Sequence, residues 1–452
     1  MTDTIHMGLC SVFFMAWKAT RRQLRLSCIG GGIALVSALV FQPVHAAEFS
    51  LSGFGTLGYA RSDQSFNYDR FISERGTFRR DSLVGVQVDA KFTNTFGATA
   101  QVVAEPATDD EDRYRASMTW AFVSWRPSND WLFRFGKQRL PLYLYSQTNS
   151  VGASHDFARP PIEMYSLSPN NDMTGATFAR TWDVGADELM LEGNVGRTII
   201  DPRVWLRDTI PGLQTAGATY RRLKFDGVGL NLRYRTADSI FRAGVYRAKL
   251  TGRSGEIIIA GFPFVTLFPG VGYYQVSNAL PGPGVPQIKS VDLSVITLGG
   301  DVDLGKGFRV VGEFARSVGN KTALNETANR GYLAGMKQLD RWTPYVLAAY
   351  VKSARGPLEL NRAINANTVP GFVPGAGLIN ATQRIGADQV RVQDQHSLAF
   401  GVSYQLSPTQ KLKAEWMRVR IGRTSSLVDS PSGGDISHQN LNVFSMSYNF
   451  VF

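Results

Sequence analysis

The chain has 452 residues, enough for two or three soluble domains, yet nothing along it marks a boundary between compact cores, so one large domain is the simpler organisation. Its composition is ordinary, with 44% hydrophobic and 11% aromatic residues, but it carries 45 glycines and a formal net charge of +11. The basic residues are dispersed rather than clustered, which argues against nucleic acid as a partner, and both cysteines lie before residue 30, which excludes a disulfide framework further on.

Residues 1–46 read as a cleavable export signal. Lys18, Arg21, Arg22 and Arg25 form a basic start, Cys28 to Val40 an apolar run, and Val44-His45-Ala46 a small-residue cleavage motif. Arg21-Arg22 matches a twin-arginine motif only faintly, and Cys28 precedes the apolar run where a lipidation cysteine would follow it, so an ordinary signal is expected. Cleavage after Ala46 removes Cys10, Cys28, four basic residues and one acid, lowering the formal charge from +11 to +8.

From residue 47 to 452 the repeating unit is a run of alternating character followed by a turn, with little helical periodicity. Val84, Val86, Val88, Ala90 and Phe92 alternate with Gly85, Gln87, Asp89 and Lys91. Trp131, Phe133 and Phe135 flank Arg134, and Val228, Leu230, Leu232 and Tyr234 alternate with Asn231 and Arg233. Leu398, Phe400, Val402 and Tyr404 do so with Ser397 and Ser403, and the chain ends on Phe444, Met446, Tyr448, Phe450 and Phe452. Period two sends the apolar set to one sheet face and small, polar or charged groups to the other.

Sixteen strands are predicted, starting near residues 48, 82, 97, 117, 131, 174, 188, 227, 239, 290, 308, 330, 343, 396, 411 and 442. Tight turns such as Thr93-Asn94-Thr95, Gly305-Lys306-Gly307 and Ser407-Pro408-Thr409 alternate with much longer connections. Short turns on one rim and long loops on the other describe an all-β, transmembrane, antiparallel up-and-down barrel. Trp125, Trp131, Trp182, Trp342, Trp416 and Tyr448 lie beside turns or loops, as bilayer girdles require. Strands cross lipid only when every backbone group is paired, so the last strand is expected to close on the first, near Glu48.

Residues 257–274 form an uncharged run of membrane-helix length, but Pro263, Pro269, Gly261, Gly270 and Gly272 argue against a helix. This segment and the similar residues 366–379 fall where long loops are due. They either fold together over the barrel mouth or stand as independent loops.

The segments FSLSGFGTLGYARSD, RRDSLVGVQVDAKF, WAFVSWRPSNDWLFRFGKQRLPLYLYS and NVFSMSYNFVF together resemble Gram-negative outer-membrane porins of the general-diffusion kind. The terminal Phe452 looks like the signal read by the barrel-assembly machinery. The resemblance implies sixteen strands, a homotrimer, and a third long loop, here residues 141–172, folded into the lumen as a constriction. The acidic Pro-Glu-Phe-Gly type of loop tip is missing, and Asp156-Phe157-Ala158-Arg159-Pro160-Pro161 stands in its place.

Strand parity turns Arg134, Arg233, Arg242, Arg309, Lys411 and Lys413 inward, together with Asp89, Glu105, Glu313 and Glu415. In the constriction loop, Asp156, Glu163 and Asp172 either oppose the basic wall near Arg134, setting up a transverse field, or pair with Arg159 and cap loop turns. The acid run Asp109-Asp110-Glu111-Asp112 is either a solvated loop or a divalent-ion bridge to lipopolysaccharide.

No enzyme, cofactor or metal site is expected. Only His155, His396 and His438 follow the leader, no HExxH or CxxC motif or phosphate-binding loop is present, and Ser437 and His438, being adjacent on one strand, would face opposite ways. The expected role is a water-filled outer-membrane channel for small hydrophilic solutes and ions with mild anion preference, in contact with outer-membrane lipid and lipopolysaccharide. The alternative is a substrate-specific outer-membrane channel or transporter for an apolar or aromatic small molecule.

Overall fold

The computed structural model describes residues 47–167, 172–212, 214–253, 255–320, 322 and 327–452. The expected signal, residues 1–46, lies outside them.

Sixteen antiparallel strands close into a barrel in simple sequence order. The first eight are β1 (Glu48–Ser62), β2 (Leu83–Lys91), β3 (Phe96–Pro106), β4 (Tyr114–Trp125), β5 (Trp131–Arg139), β6 (Asp172–Val184), β7 (Asp187–Ile200) and β8 (Leu223–Arg235). The second eight are β9 (Ile240–Gly252), β10 (Ser290–Gly305), β11 (Phe308–Asn320), β12 (Ala328–Lys337), β13 (Trp342–Ser353), β14 (Gln393–Ser407), β15 (Gln410–Ser425) and β16 (Asn440–Val451). Each begins within four residues of its expected start, the largest difference falling at β8.

Closure follows from the need to pair every edge group. β1 pairs with β2 through Glu48–Thr56 and with β16 through Phe54–Ser62, so it serves two neighbours with partly staggered halves. Beyond β16, Phe452 and Gly53 exchange backbone N–H to C=O bonds of 2.9 Å in both directions, extending the seam to the last residue.

The outward face carries Phe49, Leu51, Leu57, Val84, Val86, Val88, Leu230, Val245, Ile296, Leu333, Phe400, Phe444 and Met446, all exposed. A continuous apolar exterior of this size is unsuited to water and matches a bilayer. Aromatic rings gather beside the short turns: Phe96 stacks on Trp125 with centroids 6.2 Å apart, Trp131 on Phe133 at 5.6 Å, and Trp342 lies 4.4 Å from Tyr404.

Eight long loops emerge at the opposite rim, here L1 (63–82), L2 (107–113), L3 (140–171), L4 (201–222), L5 (253–289), L6 (321–327), L7 (354–392) and L8 (426–439). L7 contains two helices that alternation gave no reason to expect, α2 (Arg355–Ala366) and α3 (Ala376–Gln389), while L3 contains the single turn α1 (Ile162–Tyr165). Residues 257–274 are non-helical, as their prolines require, and form the small hairpin Phe264–Phe268 with Val271–Tyr274.

The two Gly- and Pro-rich segments do pack together. Tyr273 and Leu280 share a cluster with Val369, Ala376 and Ile379. Asn367 Nδ2 donates to the Gly272 carbonyl at 2.9 Å, and the Tyr274 N–H donates to Gln383 at 2.8 Å. Their apolar side chains therefore satisfy one another.

The barrel's main hydrophobic core lies inside it. Val311, Met336, Leu347, Met417, Val419, Ile421, Leu441 and Val443 point inward and are covered by Tyr68 and Ile72 of L1, Tyr143, Phe157 and Met164 of L3, and Val428 and Ile436 of L8. This corrects the expectation that inward positions would be small or polar. Loop side chains, not water, cover them, so burial there is favourable by about 25 cal/mol per Å².

Candidate functional site: a lumen divided by L3

L3 runs against the inner faces of β9–β16 and β1, and polar anchors hold it there. Glu313 on β11 accepts three hydrogen bonds, from the Leu144 N–H at 2.8 Å, Tyr165 Oη at 2.6 Å and Tyr332 Oη at 2.8 Å. Tyr345 Oη donates to Glu415 at 2.7 Å while accepting the Ala158 N–H at 3.0 Å. Lys413 donates to the carbonyls of Gly152 (2.6 Å) and Phe157 (2.7 Å) and lies 3.2 Å from His155 Nδ1. Burial, with Lys413 and Lys411 adding to it, holds His155 well below the usual imidazole pKa. His155 is therefore neutral at physiological pH.

The acids of L3 turn toward this wall rather than toward Arg134. Asp156 accepts Lys411 Nζ at 2.8 Å and Ser403 Oγ at 2.7 Å, with Arg309 at 3.8 Å. Burial opposes its charge, but Lys411 and these hydrogen bonds overcome that and keep Asp156 below the ordinary carboxylate pKa. Glu163 is fully buried in α1, where Oε1 accepts Gln395 Nε2 at 2.9 Å. Burial raises its pKa, against the opposing Gln395 hydrogen bond.

The remaining predicted positions separate into three groups. Arg242 faces inward but is committed to structure, donating to Asn231 (2.7 Å) and to the Tyr143 carbonyl at the root of L3 (2.7 Å). Arg309 pairs with Asp301 as well as Asp156. Arg134 and Arg233 stay on the wall that L3 leaves open: Arg134 lies over the Phe122 ring at 5.5 Å, and Arg233 is 4.0 Å from Glu192. Asp172 belongs to β6 rather than to the loop and pairs with Lys137 at 2.6 Å, directly across from Arg139 in the β5–β6 register.

The open wall is polar along β2–β4. Thr99 donates to Asp89 at 2.6 Å, Gln101 to Gln87 at 2.8 Å and Thr119 to Gln101 at 2.7 Å, forming a hydrogen-bonded ladder across three strands. Continuing round, Asn194, Glu192, Asn231 and Arg233 prolong it toward β8. A polar cavity of about 320 Å³, lined by Arg80, Glu105, Ser150, Arg159 and Arg203 among others, lies between this wall, L1 and L3.

Toward the loop rim the polarity of β7–β10 inverts. Register places Thr198, Phe225, Leu250 and Val291 in one inward row and Gly196, Gly227, Ala248 and Leu293 in the next. Arg197, Lys224, Asp226, Lys249 and Asp292 take the outward positions between them. Charge near the bilayer interface costs only about 0–1 kcal/mol, so this reversal is tolerable there. The inward rows, with Leu140, Leu142 and Leu167 of L3, Val204 and Leu206 of L4 and Ile258 and Ile259 of L5, line an apolar chamber of about 680 Å³. The signal was present in the sequence: Leu223-Lys224-Phe225-Asp226 alternates in the opposite phase to Val228-Gly229-Leu230-Asn231.

Arginines tie the outer loops together. Arg203 of L4 binds Asp429 of L8 through 2.6 and 2.8 Å contacts and Glu111 of L2 at 3.0 Å. Arg207 binds Asp388 of L7 at 2.7 Å, and Arg384 binds Asp208 at 2.8 Å. The acidic run of L2 is neither bare nor arranged for a cation: Asp109 pairs with Arg115 and Arg222, Glu111 with Arg70 and Arg203, and Asp112 with Arg79.

No family model matches the sequence, and no curated protein is similar to it. Among solved structures, the high-pH structure of OprB from Pseudomonas putida aligns with 90% of this chain and 94% of its own at a TM-score of 0.50 and 10% identity. The anion-selective porin from Comamonas acidovorans aligns over 90% and 100% at 0.49 and 11% identity. The outer-membrane channel DcaP of Acinetobacter baumannii does so over 90% and 97% at 0.48 and 11%. The chain thus has the closed sixteen-stranded barrel of the outer-membrane porins.

Proposed function

We propose that the protein is an outer-membrane channel through which small hydrophilic solutes and ions diffuse, with a mild preference for anions. One observation carries this reading. L3 is anchored to one side of the lumen with its acids turned to that wall, so the opposite wall keeps its polar ladder and the cations Arg134 and Arg233 facing the path. Residues 1–46 serve as its export signal, Phe452 as its assembly signal, and the exposed apolar exterior as its seat in lipid and lipopolysaccharide.

Planar-bilayer recording of the purified protein tests this. A steady ionic current, with a reversal potential in a salt gradient displaced toward the anion, is the expected result. A closed barrel, or clear cation preference, would refute the respective half of the proposal.

A second reading, selective passage of apolar or aromatic small molecules, is favoured by the apolar chamber under L4 and L5.

A further inference from the structure

Three sectors of the outward face differ in charge. Along β2 and β3 the outward row is apolar, with Val84, Val86 and Val88 beside Ala104, Val102 and Ala100. On β7–β10 the outward charges answer one another: Arg197 donates to Asp226 at 2.5 Å, Lys224 lies 3.3 Å from the same carboxylate, and register sets Lys249 between Asp226 and Asp292. On β14–β16 and β1 they do not. Register pairs His396 directly with Arg420, Arg418 follows on the same face of β15, and Arg61 of β1 stands against Phe444. All four are exposed, and among the described residues none of their side chains makes a hydrogen bond or ion pair. The two nearby acids are turned elsewhere. Asp394 accepts the Arg423 N–H at 3.0 Å and lies 3.9 Å from Lys352, while Asp63 accepts the Asn442 N–H at 2.9 Å and Asn442 Nδ2 at 2.6 Å.

We propose that this sector binds lipopolysaccharide, with one lipid phosphate between Arg418 and Arg420, a second at Arg61, and acyl chains along Leu398, Phe400 and Trp416. The inference rests on the reading of the exterior as seated in the outer membrane, and it assigns a lipid and its contacts to one part of that seat. Like charges directly opposite on a sheet repel, and cations against hydrocarbon are unfavourable, so the arrangement requires an anion from outside. The cations lie in the loop-side parts of their strands. On their turn side the outward row is apolar, with Leu398, Phe400, Trp416 and Phe444 exposed and Trp416 stacked on Phe400 at 5.8 Å. An anion held above such a row is therefore the headgroup of a lipid whose chains cover it. Arginine meets phosphate through paired N–H donors at short range, and the cations spread over three strand spacings, roughly 14 Å. One phosphate engages the neighbours Arg418 and Arg420, which leaves Arg61 to a second phosphate on the same lipid. None of the three sectors is acidic, so a second copy of the chain finds no complementary face among them.

The test is binding of lipid A carrying both phosphates to the purified protein, followed by native mass spectrometry from a non-ionic detergent. Dephosphorylated lipid A and phosphatidylglycerol are the controls. Bisphosphorylated lipid A is expected to saturate at a concentration at least roughly tenfold below either control. Arg418→Gln combined with Arg420→Gln should abolish that advantage, while Lys224→Gln combined with Lys249→Gln, on the charge-balanced sector, should preserve it. Heat-modifiable gel mobility confirms that each barrel is folded; if the first double variant is not, Arg420→Gln alone, with the salt dependence of wild-type binding, provides the charge test. Equal binding of phosphorylated and dephosphorylated lipid A overturns the inference, as does phosphatidylglycerol binding as tightly as lipid A. A lipid-free oligomer that the first double variant breaks apart assigns the face to a second copy and also overturns it. Each of these results leaves the membrane seat standing, provided that the protein inserts into phosphatidylcholine vesicles. Failure to insert overturns the seat itself.

Discussion

Arg159 of L3 grips Asp81, just before β2, with two parallel hydrogen bonds of 3.0 and 2.7 Å, and its second terminal nitrogen also reaches Ser445 on β16 at 2.8 Å. Both partners are nearly buried, so the pair holds L3 to the seam region across two strands. Burial opposes the charge on Asp81, but Arg159 overcomes it and lowers the Asp81 pKa. Removing one member of a buried pair strands the other, at a cost of about 3–5 kcal/mol. Asp81→Asn should therefore lower the thermal midpoint followed by circular dichroism and make the channel current noisier. An unchanged midpoint and quiet current would show that L3 is held elsewhere.

Glu313 offers a second test of the same anchorage. Tyr165→Phe removes one of its three donors without changing shape, and a hydrogen bond to a charged group contributes about 1.5–3 kcal/mol. Stability should fall by roughly that amount. A double-mutant cycle with Glu313→Gln should show the two effects to be non-additive; additive losses would mean that the hydroxyl and carboxylate act independently.

Glu163 makes stability depend on pH. Its raised pKa means that the folded chain holds this proton more tightly than the unfolded chain does. The contribution is complete below the unfolded carboxyl pKa of about 4.3 and is lost as pH rises through the folded value. Glu163→Gln should thus be more stable than the parent at neutral pH, with a flatter melting profile across the acidic range. A variant that melts lower at pH 7 would contradict this.

Gly152 sits where L3 meets the barrel wall. A Cβ there would fall 1.9 Å from Asn449 Oδ1 and 2.6 Å from Thr56 Oγ1, two side chains already bonded to each other at 2.9 Å. Gly152→Val should push this part of L3 toward the path and change single-channel conductance, and the melting midpoint should fall because the Lys413 hydrogen bond to the Gly152 carbonyl is lost with it. Unaltered conductance would show that the loop tip does not border the path.

Ion preference should reside in the open wall. Arg134→Ala combined with Arg233→Ala is expected to move the reversal potential toward cations, whereas Glu163→Ala, buried against Gln395, should leave it unmoved. Equal effects from both variants would place the narrowest point at L3's acids instead.

Period-two alternation, short turns and the terminal aromatic run determined the strands, their order and their closure, because a sheet side chain's facing depends only on its parity and a spanning backbone has no other way to pair its groups. Parity also turned Arg134, Arg233, Arg242, Arg309 and Glu313 inward, but it says nothing of what an inward group meets. Only the folded loops decided that Arg242 and Glu313 fasten L3, that Asp156 meets Lys411, and that Asp172 pairs with Lys137. The apolar interior at Val419, Ile421 and Leu441 likewise depends on L1, L3 and L8, which come from positions far apart in the chain. Contacts of that kind arise from three-dimensional packing between segments whose separate patterns carry no mark of one another.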